Sequence, residues 1–262
     1  MQWSDAIEEH VRLLKPVEQN MALLRRIYSL IDLTSLNEND TEASIAALCG
    51  KAQSALGSVA AICVYPQFVP LAAANFARTK VKTATVANFP EGTGSLEAVL
   101  SEISLCLQAG AQEIDVVFPY LRYLAGEQQY AHQFVSVCKA ACGDDVILKM
   151  ILETGALIDP TIIADASYEA LAAGADFIKT STGKISQGAT LEAAAAMLLV
   201  IKHTEPQVKH RLGFKVAGGI RTIQEAAHYV ELADLIMGRD WVTPATFRIG
   251  ASKLVDELLA GI

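Results

Sequence analysis

Histidine and cysteine, which supply most transition-metal ligands in proteins, are scarce in this sequence. The chain has five of each in 262 residues, and it contains no pair of CxxC motifs. The odd number of cysteines favours free thiols in a reducing compartment over a disulfide framework. The histidines fall mainly in predicted helices and loops, and none is placed at the end of a predicted strand. We therefore expect no metal ion.

Long apolar runs and excess basic charge are also missing. No uninterrupted apolar run reaches the roughly 18 residues that a membrane span needs, and the first ten residues, MQWSDAIEEH, do not resemble a signal peptide. The 21 basic residues are outnumbered by 29 acidic ones, which disfavours non-specific binding to nucleic acid or to a membrane. We expect a cytoplasmic protein that acts on a small molecule. A local cluster of lysines would still allow that molecule to be an anion.

The sequence does contain a regular alternation of short β-branched runs and helical patterns. The eight runs cover residues 28–34, 59–65, 81–89, 113–119, 146–154, 176–182, 213–219 and 234–238. This alternation predicts a parallel sheet with right-handed crossovers, and eight strands in this length favour a (β/α)8 TIM barrel. We expect one domain over residues 1–262, with a short helical extension before the first strand. A doubly wound open sheet is the alternative, but no GxGxxG motif follows the first run.

Seven of the eight runs carry a polar or reactive residue within the strand or near its carboxyl end. These residues are Asp32, Cys63, Asn88, Asp115, Lys149, Lys179 and Lys215. Active sites of (β/α)8 barrels lie at the carboxyl ends of the strands. The pattern therefore predicts a site at that end of the barrel.

A buried lysine can serve as a nucleophilic amine. Burial and a neighbouring cation both disfavour the protonated form of a lysine, so either Lys179 or Lys215 could attack a carbonyl while the other lowers its pKa. Asp115 could then move protons. The alternative is structural: Asp115 pairs with one lysine, and the other extends to solvent. Spacing alone does not decide which lysine is the nucleophile.

Two glycine-containing turns favour an anion site near the last strands. In VAGGI (216–220), Gly218 and Gly219 allow backbone N–H groups to approach a ligand closely. IGASKL (249–254) is typical of a turn that enters a helix, where the helix dipole favours negative charge. With Lys184, these segments predict phosphate binding. An ordinary tight turn is the alternative for 216–220.

Eight sequence segments together resemble the motifs of a known protein family. They are IDLTSLN (31–37), ICVYP (62–66), TVANFPEG (85–92), EIDVVFP (113–119), LETG (152–155), FIKTSTGK (177–184), FKVAGGIRT (214–222) and TFRIGAS (246–252). Through these segments the chain resembles the class I, Schiff-base 2-deoxyribose-5-phosphate aldolases over nearly its whole length. The resemblance implies a reversible cleavage of 2-deoxy-D-ribose 5-phosphate to glyceraldehyde 3-phosphate and acetaldehyde, without a cofactor.

The resemblance also implies individual roles. Lys179 would form the Schiff base, Lys215 would lower its pKa, and Asp115 would exchange protons with Lys215 and water. The implied substrate and phosphate contacts are Lys184, Gly218, Gly219, Ser252, Thr182 and Cys63. Two alternatives stay open: another Schiff-base sugar-phosphate aldolase, such as a transaldolase-like enzyme, and a non-catalytic barrel that binds sugar phosphates. We also expect that the chain can form a homodimer.

Overall fold

The computed structural model describes residues 3–208 and 210–261, and its centre is a closed barrel of eight parallel strands. The strands are β1 (Ile31–Ser35), β2 (Ala61–Val64), β3 (Lys82–Ala87), β4 (Glu113–Val117), β5 (Ile147–Ile151), β6 (Phe177–Lys179), β7 (Gly213–Ala217) and β8 (Phe247–Ala251). Each strand pairs with its neighbour in sequence, and β8 closes the barrel on β1. The predicted (β/α)8 fold is confirmed.

Helices precede, separate and follow the strands. They are α1 (Trp3–Arg12), α2 (Met21–Ser29), α3 (Glu42–Gly50), α4 (Val69–Phe76), α5 (Leu96–Gln108), α6 (Tyr120–Leu124), α7 (Gln128–Cys142), α8 (Thr154–Leu157), α9 (Pro160–Ala172), α10 (Leu191–Thr204), α11 (Ile223–Met237) and α12 (Leu254–Ala260). Short 3-10 turns lie at Pro66–Phe68 and Glu205–Gln207, and a small hairpin pairs Gln53–Ser54 with Gly57–Ser58. Both α1 and α2 lie before the first barrel strand.

The predicted eighth strand, residues 234–238, is wrong. This segment is the end of α11, and the eighth strand is Phe247–Ala251. The burial pattern explains the error: Leu232, Ala233 and Ile236 are buried while Leu235 is 44% exposed, which is the spacing of a helix with one buried face. A short apolar run cannot be distinguished from a strand by periodicity alone. Residues 249–251, predicted as part of a turn, consequently belong to β8.

The strands are buried on both faces, which explains their nearly continuous apolar sequences. In β5, Leu148 and Met150 pack in the main hydrophobic core, while Lys149 between them takes the opposite face. The inward faces form two regions. On one side a small apolar cluster joins Leu36, Ala61, Cys63, Ala84 and Val86. On the other side, β4 to β8 and β1 contribute charged side chains.

Three further findings bear on the expectations from composition. All five cysteines are free and buried, as expected. Across residues 3–208 and 210–261, no helix is both long and apolar enough to cross a membrane. The same part of the chain contains no group of three histidine, cysteine or acidic side chains arranged to hold a metal ion.

Candidate active site

Strand register brings the charged residues of neighbouring strands together inside the barrel. Asp115 on β4 lies opposite Lys149 on β5, and Lys179 on β6 lies opposite Lys215 on β7. Lys215 in turn lies opposite Arg248 on β8. Paired residues of adjacent parallel strands project to the same face of a sheet. Five strands therefore direct charged side chains into one interior region.

Asp115 is the centre of this region. Its Oδ2 lies 2.8 Å from the Nζ atoms of both Lys179 and Lys215, and its Oδ1 lies 2.9 Å from Lys149 Nζ. The side chains of Asp115, Lys149 and Lys215 are fully buried, and that of Lys179 is 3% exposed. The alternative in which one lysine extends to solvent is therefore wrong. All three lysines converge on one carboxylate.

Two further acids and one arginine surround this centre. Asp32 accepts from Arg248 Nη1 at 2.6 Å and lies 2.6 Å from Lys215 Nζ. Glu113 Oε1 accepts from Arg248 Nη2 at 2.8 Å, and Glu113 Oε2 lies 2.7 Å from Lys149 Nζ. These acids give each cation except Lys179 a second carboxylate. Lys179 contacts only Asp115 among the acids of the described chain.

Glu113 and Arg248 were not predicted from the sequence as site residues. Arg248 was missed because the eighth strand was misplaced, although an arginine between Phe247 and Ile249 is an unusual residue in a barrel strand. Glu113 shares strand parity with Asp115 in EIDVV, and this signal could have identified it.

The charges balance when Lys179 is neutral. The buried network holds four basic groups, Lys149, Lys179, Lys215 and Arg248, and three acids, Asp32, Glu113 and Asp115. If the three acids are ionised, the other three cations neutralise them, and a protonated Lys179 would add an uncompensated positive charge. Uncompensated charge is costly where water is excluded.

The pKa directions agree with this balance. Burial lowers the pKa of Lys179, the Lys215 cation lowers it further, and the opposing attraction of Asp115 does not restore it. Burial acts in the same direction on Lys215, but Asp115 and Asp32 outweigh it and raise its pKa. Asp115 and Glu113 likewise raise the pKa of Lys149 despite its burial. Among these three lysines, only Lys179 is therefore shifted toward the free amine.

The acids remain ionised. Burial alone would raise the pKa of Asp115, but Lys149, Lys179 and Lys215 together hold it well below its ordinary value. The pKa values of Asp32 and Glu113 are lowered as well, because the attraction of their cationic neighbours outweighs burial. As an ionised carboxylate, Asp115 accepts hydrogen bonds from all three lysines at once.

A cavity of about 330 Å³ opens at the carboxyl ends of the strands. It is lined by Thr34, Ser35, Leu36, Asn37, Lys179, Thr182, Gly183, Lys184, Ala217, Gly218, Gly219, Ile220, Arg221, Gly250, Ala251, Ser252 and Lys253. Within the described chain, Lys179 is the one member of the charged network in this lining. The other charged members lie beneath it. A ligand in the cavity would thus meet the Lys179 amine first.

The residues predicted to bind phosphate meet in this cavity. Gly218 has a φ of +94°, and a Cβ atom there would lie 3.1 Å from Gly188 Cα and 3.2 Å from Ser181 Cβ. Glycine at this position therefore permits both the backbone conformation and the close approach of neighbouring chain. Lys184 donates from Nζ to the Leu36 carbonyl at 2.5 Å, which holds its charge at the cavity mouth.

Thr182 and Cys63 occupy different positions. Thr182 lines the cavity, and its hydroxyl donates to the buried Glu153 carboxylate. Glu153, another residue missed from the sequence, has a positive φ of 56°, and burial raises its pKa. Cys63 is fully buried in the apolar cluster with Ala61 and Ala84, and burial raises the pKa of its thiol. Cys63 is not among the residues that line this cavity, but its thiol lies close enough to Lys215 and Lys179 for their charges to act on its pKa. Its contact with a substrate stays a prediction.

Fold and site together define a (β/α)8 barrel with its polar cavity where barrel enzymes place their active sites. Residues 26–251 match the model of the DeoC/LacD family aldolases, and the chain belongs to this family.

Solved structures support this assignment. A provisionally named deoxyribose-phosphate aldolase of Coccidioides immitis is 29% identical, with a TM-score of 0.77 and coverage of 98% of this chain and 96% of that one. One from Toxoplasma gondii ME49, also provisionally named, is 25% identical, with a TM-score of 0.84 and coverage of 92% and 94%. The deoxyribose phosphate aldolase of Aeropyrum pernix, described as a unique tetramer, is 25% identical, with a TM-score of 0.71 and coverage of 98% and 97%.

Proposed function

We propose that this aldolase cleaves 2-deoxy-D-ribose 5-phosphate reversibly to D-glyceraldehyde 3-phosphate and acetaldehyde through a Schiff base on Lys179. One observation carries the proposal. Of the three buried lysines, Lys179 alone has a lowered pKa, and it alone lines the cavity. The names of the similar structures favour this substrate.

The first half of the reaction requires a neutral amine and an electron sink. Lys179 Nζ attacks the C1 aldehyde, the carbinolamine loses water, and a protonated imine forms. Removal of the C3 hydroxyl proton then breaks the C2–C3 bond. The bonding electrons pass to the imine nitrogen, which leaves an enamine of two carbons and releases glyceraldehyde 3-phosphate.

The second half requires a proton at carbon. The enamine is protonated at C2, and water hydrolyses the resulting imine to acetaldehyde and free Lys179. Lys215 and Asp115 are the proposed proton carriers for these steps, with Asp115 Oδ2 2.8 Å from both amines. Lys215 has a second role, because its positive charge favours the neutral form of Lys179.

The phosphate would bind at the opposite end of the cavity from Lys179. The proposed contacts are Lys184, Gly218, Gly219 and Ser252. Lys253 also lines the cavity and adds a positive charge beside Ser252. Backbone N–H groups of glycine turns together with a lysine are a common arrangement for phosphate recognition. Thr182 would then contact the sugar between the two ends.

The direct test is a substrate assay. The wild-type protein should convert 2-deoxyribose 5-phosphate to both aldehydes without added metal, and Lys179→Met should abolish turnover. Lys15→Met, which removes an exposed lysine of the loop after α1, is the matched control and should retain full activity. Turnover that survives in Lys179→Met would contradict the assignment of the nucleophile.

A second candidate is a transaldolase-like enzyme, which would share the Lys179 amine but use a different sugar phosphate. Fructose 6-phosphate offered in place of the deoxy sugar separates the two. A silent sugar-phosphate-binding barrel would bind either compound and convert neither.

We further infer a cytoplasmic role in the breakdown of deoxyribonucleotides, as a homodimer or larger homo-oligomer. The tetramer described for the Aeropyrum pernix relative supports self-association. Light scattering at micromolar concentration should give more than the 28.0 kDa mass of one chain. A strictly monomeric mass would contradict this part of the proposal.

A further inference from the structure

A second cavity, about 600 Å³ in volume, opens at the amino-terminal end of the barrel, opposite the candidate active site. Its lining comes from residues that precede or begin strands, such as Ala60 before β2 and Ile147 at the start of β5. The segment between α4 and β3 contributes Arg78, Lys80 and Lys82 to the same cavity. Its volume lies within the roughly 300–1,000 Å³ typical of small-molecule sites.

The sequence around these three cations is locally basic in an otherwise acidic protein. Between Glu42 and Glu91 the chain contains no acidic residue, although it has 29 in total. The same stretch contains Arg78, Lys80 and Lys82 within five positions. The proposed function does not use this charge, because its phosphate contacts lie at the other end of the barrel.

The three cations have no protein partner in the part of the chain that the structure describes. Within residues 3–208 and 210–261, Arg78, Lys80 and Lys82 form no ion pair and no side-chain hydrogen bond. Other basic side chains do pair: Lys51 lies 2.6 Å from Asp256, and Arg26 lies 2.6 Å from Asp234. Three unpaired donors that line one cavity form an environment suited to an anion.

The floor of the cavity is already neutralised. Arg248 lines it and is 3% exposed, but its guanidinium donates to Asp32 and Glu113. An anion would therefore gain little from Arg248 and would bind nearer the rim. Lys82 begins the inward-facing row of β3 that continues through Ala84, and it lies opposite Ala61 of β2. This register sets Lys82 at the opening.

We propose that the amino-terminal basic mouth, defined as Arg78, Lys80 and Lys82, binds a small molecule through a phosphate or diphosphate group. Three cations suit a multivalent anion better than a single carboxylate, and the planar guanidinium of Arg78 can bind two phosphate oxygens at once. This site is distinct from the substrate cavity at the other end of the barrel.

Calorimetric titration with pyrophosphate at low salt tests the proposal. Arg78→Gln/Lys82→Gln should weaken binding at the mouth by at least about tenfold, since two charge-assisted contacts are lost. Arg12→Gln/Lys15→Gln changes the net charge by the same amount at exposed positions in and just after α1 and should change the affinity by less than about twofold. Equal weakening in both variants would overturn the proposal, because it would reflect net charge alone.

Lys184→Gln separates the two ends of the barrel. It should remove pyrophosphate binding at the substrate cavity and leave the mouth unaffected. If Lys184→Gln removes all pyrophosphate binding, the amino-terminal basic mouth is not a binding site and the proposal is wrong. Crystals soaked in tungstate give a direct check: anomalous density beside Arg78 and Lys82 supports the site, and density confined to the substrate cavity refutes it.

Discussion

Replacing Lys215 with methionine should convert Lys179 from a nucleophile into a charged ammonium. Without Lys215, the three buried acids face only Lys149 and Arg248 as permanent cations. A protonated Lys179 would then neutralise the third acid instead of adding an uncompensated positive charge. The substitution keeps an unbranched side chain of similar length, so the barrel remains filled.

The size of the effect follows from geometry. Lys179 Nζ and Lys215 Nζ each lie 2.8 Å from Asp115 Oδ2, so they are separated by at most about twice that distance. At an effective dielectric constant of about 20, two unit charges at this separation repel by about 3 kcal/mol. Removing that repulsion should lower the fraction of Lys179 present as free amine at neutral pH by about a hundredfold.

Turnover alone would not isolate this effect, because Lys215 is also a proposed proton carrier. Reductive trapping of acetaldehyde by cyanoborohydride, quantified on the peptide that contains Lys179, measures imine formation at Lys179 without the later proton transfers. In Lys215→Met, trapping should be about a hundredfold slower at neutral pH and should recover as pH rises. Lys51→Met, which removes an exposed lysine paired with Asp256, should trap like the wild type. An unchanged pH profile in Lys215→Met would refute the electrostatic role of Lys215.

Three further predictions address binding and stability. Lys184→Gln should raise KM for 2-deoxyribose 5-phosphate about tenfold and leave turnover of unphosphorylated 2-deoxyribose unchanged. Lys15→Gln is the control. Equal losses of activity on both sugars would argue against phosphate binding by Lys184. Asp115→Asn leaves Lys149 and Lys215 without their shared carboxylate. Urea denaturation should therefore show a loss of about 3–5 kcal/mol in unfolding free energy. A loss below about 1 kcal/mol would contradict the claim that Asp115 stabilises the buried charges. The pKa values of Asp32, Glu113 and Asp115 are lowered in the folded state, so their contribution is complete above the unfolded carboxylate pKa of about 4 and is lost as pH falls below it. Melting temperatures across that range should therefore fall with pH, more steeply in the wild type than in Asp115→Asn, and parallel curves would contradict this.

The sequence was sufficient to predict most of the fold because strand and helix periods alternate clearly in it. Seven of the eight predicted runs overlap a barrel strand. The eighth failed because residues 234–238 are too short to show their helical period. That single error also hid Arg248, whose strand was taken for a turn.

The convergence of the lysines was predictable, but their ionisation was not. Strand parity and the position of active sites in barrels were enough to bring Lys179, Lys215 and Asp115 together. The difference between the lysines depends on second carboxylates: Asp32 lies beside Lys215, Glu113 beside Lys149, and neither contacts Lys179. Such distances arise from register across the closed barrel, which spacing along one strand does not contain.

The most direct test of the central claim is borohydride trapping with 2-deoxyribose 5-phosphate followed by peptide mapping. We predict a single reduced adduct, on Lys179, and none in Lys179→Met. The same experiment in the Lys15→Met control should give the wild-type adduct. An adduct on Lys149 or Lys215, or no adduct while the substrate is still cleaved, would contradict the claim that the neutral Lys179 amine is the nucleophile.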